Sequence, residues 1–289
     1  MKIYNLGSLN IDHVYTVDHF VRAGETIATE KYEIFPGGKG LNQSVALARA
    51  GAEVVHGALV GEGGEFLMET MAASGVDVSK IKRVSGSCGH AIIQVNKNGE
   101  NCIMIHGGTN RALDKEYIEE FLSDAQKEDI LLLQNETNCV AEAIEAAYSK
   151  GMTVAFNPSP FDGGIKYLPL DHVGIWFCNE IEGAELIGTQ DTDGICRGFE
   201  RKYPDSELIL TLGEDGSVYC GRGERFSQKA YKNTVVDTTA AGDTFTGYYL
   251  ASIAKGLSPE KAADIASKAA SITISRPGAS SSIPFADEV

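Results

Sequence analysis

The sequence predicts an α/β protein in which helices flank a mostly parallel central sheet. Short apolar runs alternate with amphipathic segments along the whole chain, and this alternation is typical of parallel strands joined by helices. No linker or internal repeat divides the chain, so we expect a single domain that covers residues 1–289. With 43% hydrophobic residues, a chain of this length can bury the core that such a domain requires.

Six apolar runs are predicted to form the strands of this sheet. Each ends in glycine or short polar residues, as expected where a buried parallel strand meets a loop. The runs are 3–6, 54–60, 130–133, 154–160 and 175–182 with their polar ends, and 208–212. Amphipathic or alanine-rich segments predict helices over 41–50, 65–74, 114–126, 245–254 and 258–275.

Two segments outside this alternation, 13–36 and 88–106, are predicted to form a small β-strand lid. Both alternate β-branched, aromatic and charged residues, as half-exposed strands do, and Asn98-Gly99 is a hairpin-turn signal. A lid over a ligand site would exclude water, although an ordinary surface hairpin is the alternative. Because exposed strands need a cover or a partner, the lid strands also predict a homodimer.

Composition and charge argue against several classes of partner and site. The formal net charge of −15 argues against nucleic acid and anionic membranes as partners. The six cysteines are scattered without a C-x-x-C pair, so neither a zinc site nor a disulfide framework is indicated. No apolar run approaches the ~20 residues of a membrane span, and the chain enters its first strand directly. We therefore expect a cytoplasmic protein.

The segment 236–247, which reads VDTTAAGDTFTG, carries the strongest chemical signal. Ala240, Ala241 and Gly242 are small enough to leave their backbone amides accessible to a bulky anion. An apolar helix follows, and its positive end would point at the same anion. Asp243 at the start of that helix suits a general base for phosphoryl transfer, but helix capping explains an aspartate there equally well.

Polar residues at the ends of two predicted strands form a second group of candidates. Asn10 and Asp12 follow the first strand, and Glu136 follows the strand over 130–133. The carboxyl ends of parallel strands share one edge of a sheet, where open α/β sheets bind ligands, and carboxylate and amide groups can bind the hydroxyls of a polyol. On these residues alone, an Asx-turn at Asn10 and Asp12 or helix capping by Glu136 is the alternative.

A glycine-rich turn over 36–40 leads into a helix that carries Asn42. Its G-G-x-G pattern is weak evidence by itself, and it is neither a Walker A loop nor a complete dinucleotide-binding motif. Gly38 would allow close backbone approach. Lys39 could lie near a transferred phosphate or could simply face solvent.

Together these motifs resemble those of the ribokinase-like family of carbohydrate kinases, also called the PfkB family. GSLNID, GGKGLNQSVALARAG and DTTAAGDTFTG are similar to its sugar-binding motif and its two signatures, in this order along the chain. The resemblance implies an ATP-dependent kinase in which Asp243 is the catalytic base and the amides of 240–243 form an anion hole. It also implies that the sugar is held by Asn10, Asp12, Gly38, Asn42 and Glu136.

The same resemblance implies a site for ATP and Mg²⁺. Asn179 and Glu182 match an N-x-x-E motif that organises Mg²⁺, water and nucleotide phosphates, although a helix cap with an acid in its first turn explains them equally well. The segment TLGEDG resembles an adenosine-binding motif of the family. Besides Asn179 and Glu182, the residues expected to contact the nucleotide are Thr211, Gly213, Gly216 and Ser267.

A monovalent cation, K⁺, is implied near the end of the chain. In the family, a C-terminal loop and the segment matching 237–239 enclose such an ion beside the anion hole, and oxygen ligands suit it. Residues 276–282 are rich in carbonyl and hydroxyl oxygens, but Pro277 stands where a basic residue is expected, and a flexible loop is the alternative. The candidate residues are Asp237, Thr239, Thr273, Arg276, Gly278 and Ser282.

The expected reaction is transfer of the γ-phosphoryl group of ATP to the primary hydroxyl of a small sugar. Glu136 favours D-ribose, because the resemblance assigns sugar binding to this glutamate and the position varies with substrate among related kinases. A kinase for fructose, a deoxy sugar or a nucleoside is an alternative. A non-catalytic sugar-binding regulator on the same fold is another, although an intact Asp243 argues against it.

Overall fold

The computed structural model describes residues 1–289. The strands are β1 (Ile3–Leu6), β2 (Asn10–Val17), β3 (Lys31–Gly37), β4 (Val54–Gly57), β5 (Leu59–Glu62), β6 (Lys82–Ser87), β7 (Gly89–Asn96), β8 (Asn101–His106), β9 (Ile130–Gln134), β10 (Thr153–Asn157), β11 (Ile175–Asn179), β12 (Glu207–Thr211), β13 (Ser217–Gly221) and β14 (Glu224–Gln228). The α-helices are α1 (Lys39–Arg49), α2 (Glu65–Ala73), α3 (Lys115–Phe121), α4 (Val140–Ser149), α5 (Glu180–Ile187), α6 (Thr192–Lys202), α7 (Ala241–Ala254) and α8 (Pro259–Thr273). None of these helices is both long and apolar enough to cross a membrane.

Eight strands form the central sheet, in the order β14-β13-β12-β11-β10-β9-β1-β4. The strands from β12 to β4 are parallel to their neighbours. At the other end, β13 and β14 add an antiparallel hairpin. The predicted α/β fold with a mostly parallel sheet is therefore confirmed, and the carboxyl ends of β1, β9, β10, β11 and β12 share one edge.

Successive residues of each central strand pack into two different helical layers. On β9, Ile130 and Leu132 belong to the core beneath α1, α2, α7 and α8, whereas Leu131 and Leu133 belong to the core beneath α3, α4, α5 and α6. Because neighbouring side chains of a strand point to opposite faces, a strand covered on both faces needs a continuous apolar run. The molecule is a three-layer sandwich with one core on each face of the sheet.

A separate four-stranded sheet, in the order β3-β2-β7-β8, is formed by the segments predicted as a lid; we call it the lid sheet. Its central strands β2 and β7 are parallel, and both outer pairs are antiparallel. The first strand begins at Asn10 rather than at residue 13, because Asn10 pairs with Gly37 and Gly89. Asn10 and Asp12 therefore lie on a strand of the lid sheet and not in a loop.

Two predicted elements have wrong boundaries. The single strand over 54–60 is two strands, since β5 leaves the central sheet and pairs with β6, which the sequence did not predict. The helix over 114–126 covers only Lys115–Phe121, with Asp114 as its N-cap. Beyond it, the Ser123 hydroxyl donates to the carbonyl of Glu120, and such side-chain bonds compete with helix continuation.

Helix α6 and the hairpin of β13 and β14 were not predicted at all. The signals for α6 are present, since Asp191 caps it by accepting from the amide of Gly194 (2.7 Å), and Ile195 and Phe199 lie at helical spacing on its buried face. Two glycines in this short helix lower its intrinsic propensity. The packing of its apolar face against the core outweighs this unfavourable effect of the glycines.

Helices α1 and α7 approach each other closely near the edge of the sheet that carries the polar residues. A Cβ atom placed on Gly247 of α7 would lie 2.4 Å from the Cβ of Ala46 and 2.9 Å from the amide nitrogen of Leu47. Only glycine fits between two backbones at such a distance. This contact therefore fixes how near the residues of α1 come to the start of α7.

Replacement of Gly247 tests this close packing. We expect Gly247→Ala to lower the free energy of unfolding by about 1–3 kcal/mol, because the added methyl group forces the two helices apart. Urea denaturation measures the difference. Gly163→Ala is the control, since a Cβ there meets no atom within 4 Å. Equal midpoints for the two variants would contradict the close approach of α1 and α7.

Candidate active site

A cleft of about 220 Å³ lies at the carboxyl ends of the central strands, between the start of α7 and the ends of β10, β11 and β12. The cleft brings together residues from four separate motifs of the sequence. Those that were predicted as site residues are Lys39, Asn179, Glu182, Thr211, Ala240, Ala241, Gly242 and Asp243.

The start of α7 presents free backbone amides to this cleft. Ala240 adopts a left-handed conformation with φ of 61°, which is strained for a residue with a Cβ atom. The first helical hydrogen bond runs from the amide of Thr244 to the carbonyl of Ala240 (2.8 Å), and the amide of Ala241 donates weakly to Thr238 (3.3 Å). The amides of Gly242 and Asp243 have no acceptor in the chain, so they are available to an anion.

Asp243 lies in the first turn of α7 but does not cap it. The helix has no side-chain cap, and the carboxylate accepts instead from side chains of α1: from Nδ2 of Asn42 at Oδ2 (3.1 Å) and from Nε2 of Gln43 at Oδ1 (2.9 Å). The residue is only 7% exposed and lines the cleft. The capping alternative for Asp243 is thus wrong, which leaves its carboxylate available to a reacting group.

Lys39 is the one residue with a positively charged side chain among those that line the cleft. Burial, the largest effect, lowers its pKa, but the carboxylates of Asp243, Glu136 and Glu182 together raise it above the usual value. None of the ion pairs within 4 Å in the structure involves Lys39. The ammonium group is therefore charged at neutral pH and is free to meet an anion in the cleft.

The glycine-rich turn holds Lys39 in this place. Gly38 has a φ of 96°, and a Cβ atom there would lie 2.8 Å from the carbonyl oxygen of Ser8. Oε2 of Glu136 accepts hydrogen bonds from the Lys39 amide (3.0 Å) and from the Ser8 hydroxyl. Glu136 therefore joins the end of β9 to the start of α1, and it does not cap α4, whose N-cap is Cys139.

Asn10 and Asp12 lie on the same face of β2, as alternation along a strand requires. Oδ1 of Asn10 accepts from Nδ2 of Asn110 (2.8 Å), and the carboxylate of Asp12 lies so close to Gly37 that a Cβ atom there would be 2.0 Å from Oδ2. Burial raises the pKa of Asp12 to about 7, and the charge of Glu136 adds to the effect. The two predicted sugar-binding acids are therefore close enough to interact electrostatically.

Asn179 and Glu182 form a complete capping box at the start of α5. Oδ1 of Asn179 accepts from the amide of Glu182 (2.8 Å), and Oε2 of Glu182 accepts from the amide of Asn179 (3.0 Å). The capping interpretation is thus confirmed, yet both residues also line the cleft. Oε1 of Glu182 has no partner in the chain, and one carboxylate with few other protein ligands suits Mg²⁺.

The predicted adenosine contacts are only partly brought to the cleft. Thr211 lines it, whereas Gly213, Gly216 and Ser267 do not. Gly216 has a local reason to be glycine, since a Cβ atom there would lie 2.0 Å from the carbonyl oxygen of Gln228. Ser267 lies in the buried face of α8.

The residues predicted to hold a monovalent cation fall into two groups. The carboxylate of Asp237 accepts from the amides of Thr239 (2.9 Å) and Gly278 (3.0 Å), which joins the two expected segments. Burial, the largest single effect, raises the pKa of Asp237. The hydrogen bonds from Thr239 and Gly278 together lower this pKa by more, so that it lies below its usual value. The lowered pKa keeps the carboxylate charged at neutral pH, and a charged oxygen ligand that joins the two expected segments fits a K⁺ site.

The other three members of the cation set have protein partners of their own. The hydroxyl of Thr273 bonds to that of Thr244 (3.0 Å), and the hydroxyl of Ser282 donates to the carbonyl of Ala279 (2.7 Å). The guanidinium of Arg276 pairs with Glu288 (2.5 Å). Since a guanidinium has no acceptor atom, only the backbone carbonyl oxygen of Arg276 could bind a cation.

A family comparison agrees with this geometry. The model of the pfkB family of carbohydrate kinases matches residues 2–286. This chain belongs to that family. It is thus a carbohydrate kinase, a phosphotransferase that acts on a sugar hydroxyl, and both the family and the fold that the sequence predicted are confirmed.

Matches to ribokinases cover nearly the whole of this kinase chain. The ribokinase of Haemophilus influenzae is 34% identical over 293 residues, which covers 98% of this chain and 95% of the relative. The ribokinase of Staphylococcus aureus is 32% identical over 302 residues, covering 100% and 98%. A structure of Arabidopsis thaliana ribokinase complexed with ribose and ATP superimposes with a TM-score of 0.90 at 28% identity, covering 99% of this chain and 96% of the other.

Several residues of this kinase site were missed from the sequence. Gln43 follows Asn42 in the first signature, but only the packing of α1 against α7 shows that it contacts Asp243. Asn110, which bonds to Asn10, comes from a turn with no recognisable motif. The cleft residues that lay inside quoted segments without being named as site residues are Asn157, Ser159, Phe177, Cys178, Thr238 and Thr246.

The raised pKa of Asp12 makes a prediction about stability. The folded-state value of about 7 lies above the ~3.9 of an unfolded aspartate, so between these values the folded chain binds more protons than the unfolded chain. The stabilisation from protonated Asp12 is therefore lost as pH rises through 7. We expect the free energy of unfolding of the wild type, relative to Asp12→Asn, to fall between about pH 4 and pH 8.

Urea denaturation of both proteins at several pH values measures this difference. A difference that stays constant across the range would show that Asp12 titrates as it does in the unfolded chain.

Proposed function

We propose that this kinase is an ATP-dependent ribokinase that converts D-ribose to ribose 5-phosphate. The observation that carries the proposal is the cleft in which the carboxylate of Asp243, the free amides of Gly242 and Asp243, and the ammonium of Lys39 meet. A base beside an anion site is the arrangement that phosphoryl transfer to an alcohol needs. The ribokinases among its relatives support ribose as the sugar.

In the proposed reaction, Asp243 accepts the proton of the primary hydroxyl as the sugar oxygen attacks the γ-phosphorus. The new bond joins that oxygen to phosphorus, the bond from phosphorus to the bridging oxygen breaks, and ADP leaves. The free amides at 242–243 and Lys39 stabilise the charge on the transferring group. We include the amides of Ala240 and Ala241 in the anion hole, with Ala241 less available because of its bond to Thr238.

The sugar is proposed to bind between the lid sheet and the start of α1. Asp12 would accept hydroxyl hydrogens, and Oε1 of Glu136, which has no partner in the chain, would do the same. Rigid placement of the sugar brings its primary hydroxyl to Asp243. The proposed sugar contacts are Asn10, Asp12, Gly38, Lys39, Asn42, Glu136 and Asp243.

We propose that the nucleotide and the ions bind near the same edge of the sheet. Asn179 and Glu182 would organise Mg²⁺, whose charge, when bound, offsets that of the ATP phosphates. We retain Thr211, Gly213, Gly216 and Ser267 as nucleotide contacts. For K⁺, we propose oxygen ligands from Asp237, Thr239, Thr273, Arg276, Gly278 and Ser282, with the carboxylate of Asp237 supplying the charge.

We further propose a single kinase domain over 1–289 whose lid sheet covers the sugar and pairs with the lid of a second copy. Apolar side chains at the outer strands of this sheet are exposed, among them Ile34, Phe35, Met104 and Ile105. Such a surface favours an interface. A homodimer in the cytoplasm, where ATP is available, is the state that this proposal describes.

The proposal is tested by ADP release from ATP and Mg²⁺ with ribose, deoxyribose, fructose and adenosine, each with and without K⁺. We expect ribose to be the best acceptor and K⁺ to raise its turnover. In Asp243→Asn, loss of the general base should lower kcat roughly 10²–10⁴-fold.

Each outcome decides between the alternatives. Turnover of another acceptor would keep the mechanism and reject ribose. Sugar binding without ADP release by the folded protein would favour the sugar-binding regulator.

The anion hole is tested at Gly242, where an added Cβ meets no protein atom within 4 Å. Gly242→Ala should therefore fold as stably as the wild type, while its methyl group occupies the space that the transferring phosphate needs. We expect kcat to fall roughly 100-fold or more, measured in the same assay. Gly163→Ala, which is equally unhindered and does not line the cleft, is the matched control. An active Gly242→Ala enzyme would move the phosphate away from these amides.

A further inference from the structure

Gln43 makes a complete set of hydrogen bonds directly behind the cleft. Its side chain is fully buried and does not line the cleft. Nε2 donates to Oδ1 of Asp243 (2.9 Å) and to Oδ1 of Asn157 (3.3 Å), and Oε1 accepts from Nε2 of Gln134 (2.7 Å). Both hydrogens and the oxygen of the amide are therefore used.

The orientation of this amide is fixed from a distance by a backbone carbonyl. Nδ2 of Asn5 donates to the carbonyl oxygen of Gly40 (2.9 Å), an atom that can only accept. Oδ1 of Asn5 must therefore face Gln134, whose Nε2 donates to it (2.9 Å). Gln134 presents the same Nε2 to Oε1 of Gln43, so the nitrogen of Gln43 is the atom left to face Asp243.

A second carbonyl fixes the same orientation independently. Nδ2 of Asn157 donates to the carbonyl oxygen of Phe177 (2.9 Å), so Oδ1 of Asn157 faces Gln43. An inverted Gln43 amide would place its oxygen against the oxygens of both Asn157 and Asp243. Two acceptor-only backbone atoms, on α1 and β11, therefore impose one direction on the whole network.

The far end of the network is electrically neutral. The hydroxyl of Ser44 accepts from Nδ2 of Asn5 (2.8 Å) and so donates to Nδ1 of His56 (2.8 Å). Burial lowers the pKa of His56 to about 3, so the imidazole carries no charge at neutral pH. The network consequently supplies Asp243 with an oriented donor and no counter-charge.

We propose that Gln43 is a positioning residue for the reaction: it fixes the plane and direction of the Asp243 carboxylate so that the remaining lone pairs face the sugar hydroxyl. The inference rests on the proposed role of Asp243 as base. Because Asn42 donates to the other oxygen, Oδ2, each oxygen of the carboxylate is held by one amide from α1. Gln43 itself touches neither the sugar nor ATP.

The test is Gln43→Met, which keeps the length of the side chain and removes its donor. We expect kcat to fall roughly 10- to 100-fold, the effect of one hydrogen bond to a charged group. The KM values for sugar and ATP should stay within about twofold, because Gln43 does not reach the cleft. If Gln43→Met fails to fold, Gln43→Asn, whose amide is one methylene too short to reach Asp243, should show the same split.

A double-mutant comparison separates positioning from a general loss of structure. In an Asp243→Ala background, adding Gln43→Met should leave the residual rate unchanged, since there is no carboxylate to orient. Radiolabelled ATP and long incubation make that slow rate measurable. Ser252→Ala is the control: it removes another buried hydrogen bond of α7, to the carbonyl of Tyr248 (2.8 Å), and should lower thermal stability without changing kcat.

Three outcomes would overturn the inference. These are an unchanged kcat in folded Gln43→Met, a rise in KM that accounts for the loss, or an equal loss of rate in the Asp243→Ala background. Failure of the proposed function looks different, since the wild type would then show no sugar-dependent ADP release, or Asp243→Asn would be fully active.

Discussion

The hydrogen bonds between the amides of α1 and the carboxylate of Asp243 are the interaction on which the site depends. Asp243 lies at the positive end of α7 and beside free amides, where an anion is favoured. It is held by Asn42 and Gln43, which are neutral donors, so its charge is not cancelled by a partner. A carboxylate fixed in this way keeps its lone pairs for a reacting group.

Glycines at two places make this arrangement possible. Gly247 lets α7 approach α1. Gly40 lies against the end of β1, where a Cβ atom would be 2.4 Å from the carbonyl carbon of Gly7. These contacts bring both helix starts to the same edge of the sheet, and only residues without a Cβ permit them.

The cleft offers positively charged groups to an anionic ligand, although the chain carries a net charge of −15. Lys39 is the positive side chain of the cleft, and Asp243, Glu136 and Glu182 keep it protonated. The amides at the start of α7 add partial positive charge that does not depend on pH. Lys39 and these amides therefore offer positive charge and hydrogen-bond donors to an anion, and such local groups let a protein with a negative net charge hold a nucleotide.

The sequence by itself determined the layered α/β fold, because continuous apolar runs separated by amphipathic segments can be buried only in a sheet covered on both faces. It also placed Asp243, Asn179 and Glu182 at strand or helix ends, where local signals for turns are strong. The capping box of Asn179 and Glu182 was among the alternatives that the sequence offered, whereas tertiary structure alone decided what Asp243 contacts. Gln43 is an unremarkable polar residue in the sequence, and its role depends on Asp243, 200 residues away.

Local patterns also could not show where strand partners change or which cap a side chain makes. The run over 54–60 divides because β5 pairs with β6, and periodicity carries no information about the partner strand. The alternatives of capping or ligand binding for Asp243, Glu136 and Glu182 were equal on the sequence, since the same residue types serve both purposes. The positions of distant groups, such as the side-chain amides of α1 beside Asp243, separate them for Asp243 and Glu136, whereas Glu182 caps α5 and also lines the cleft.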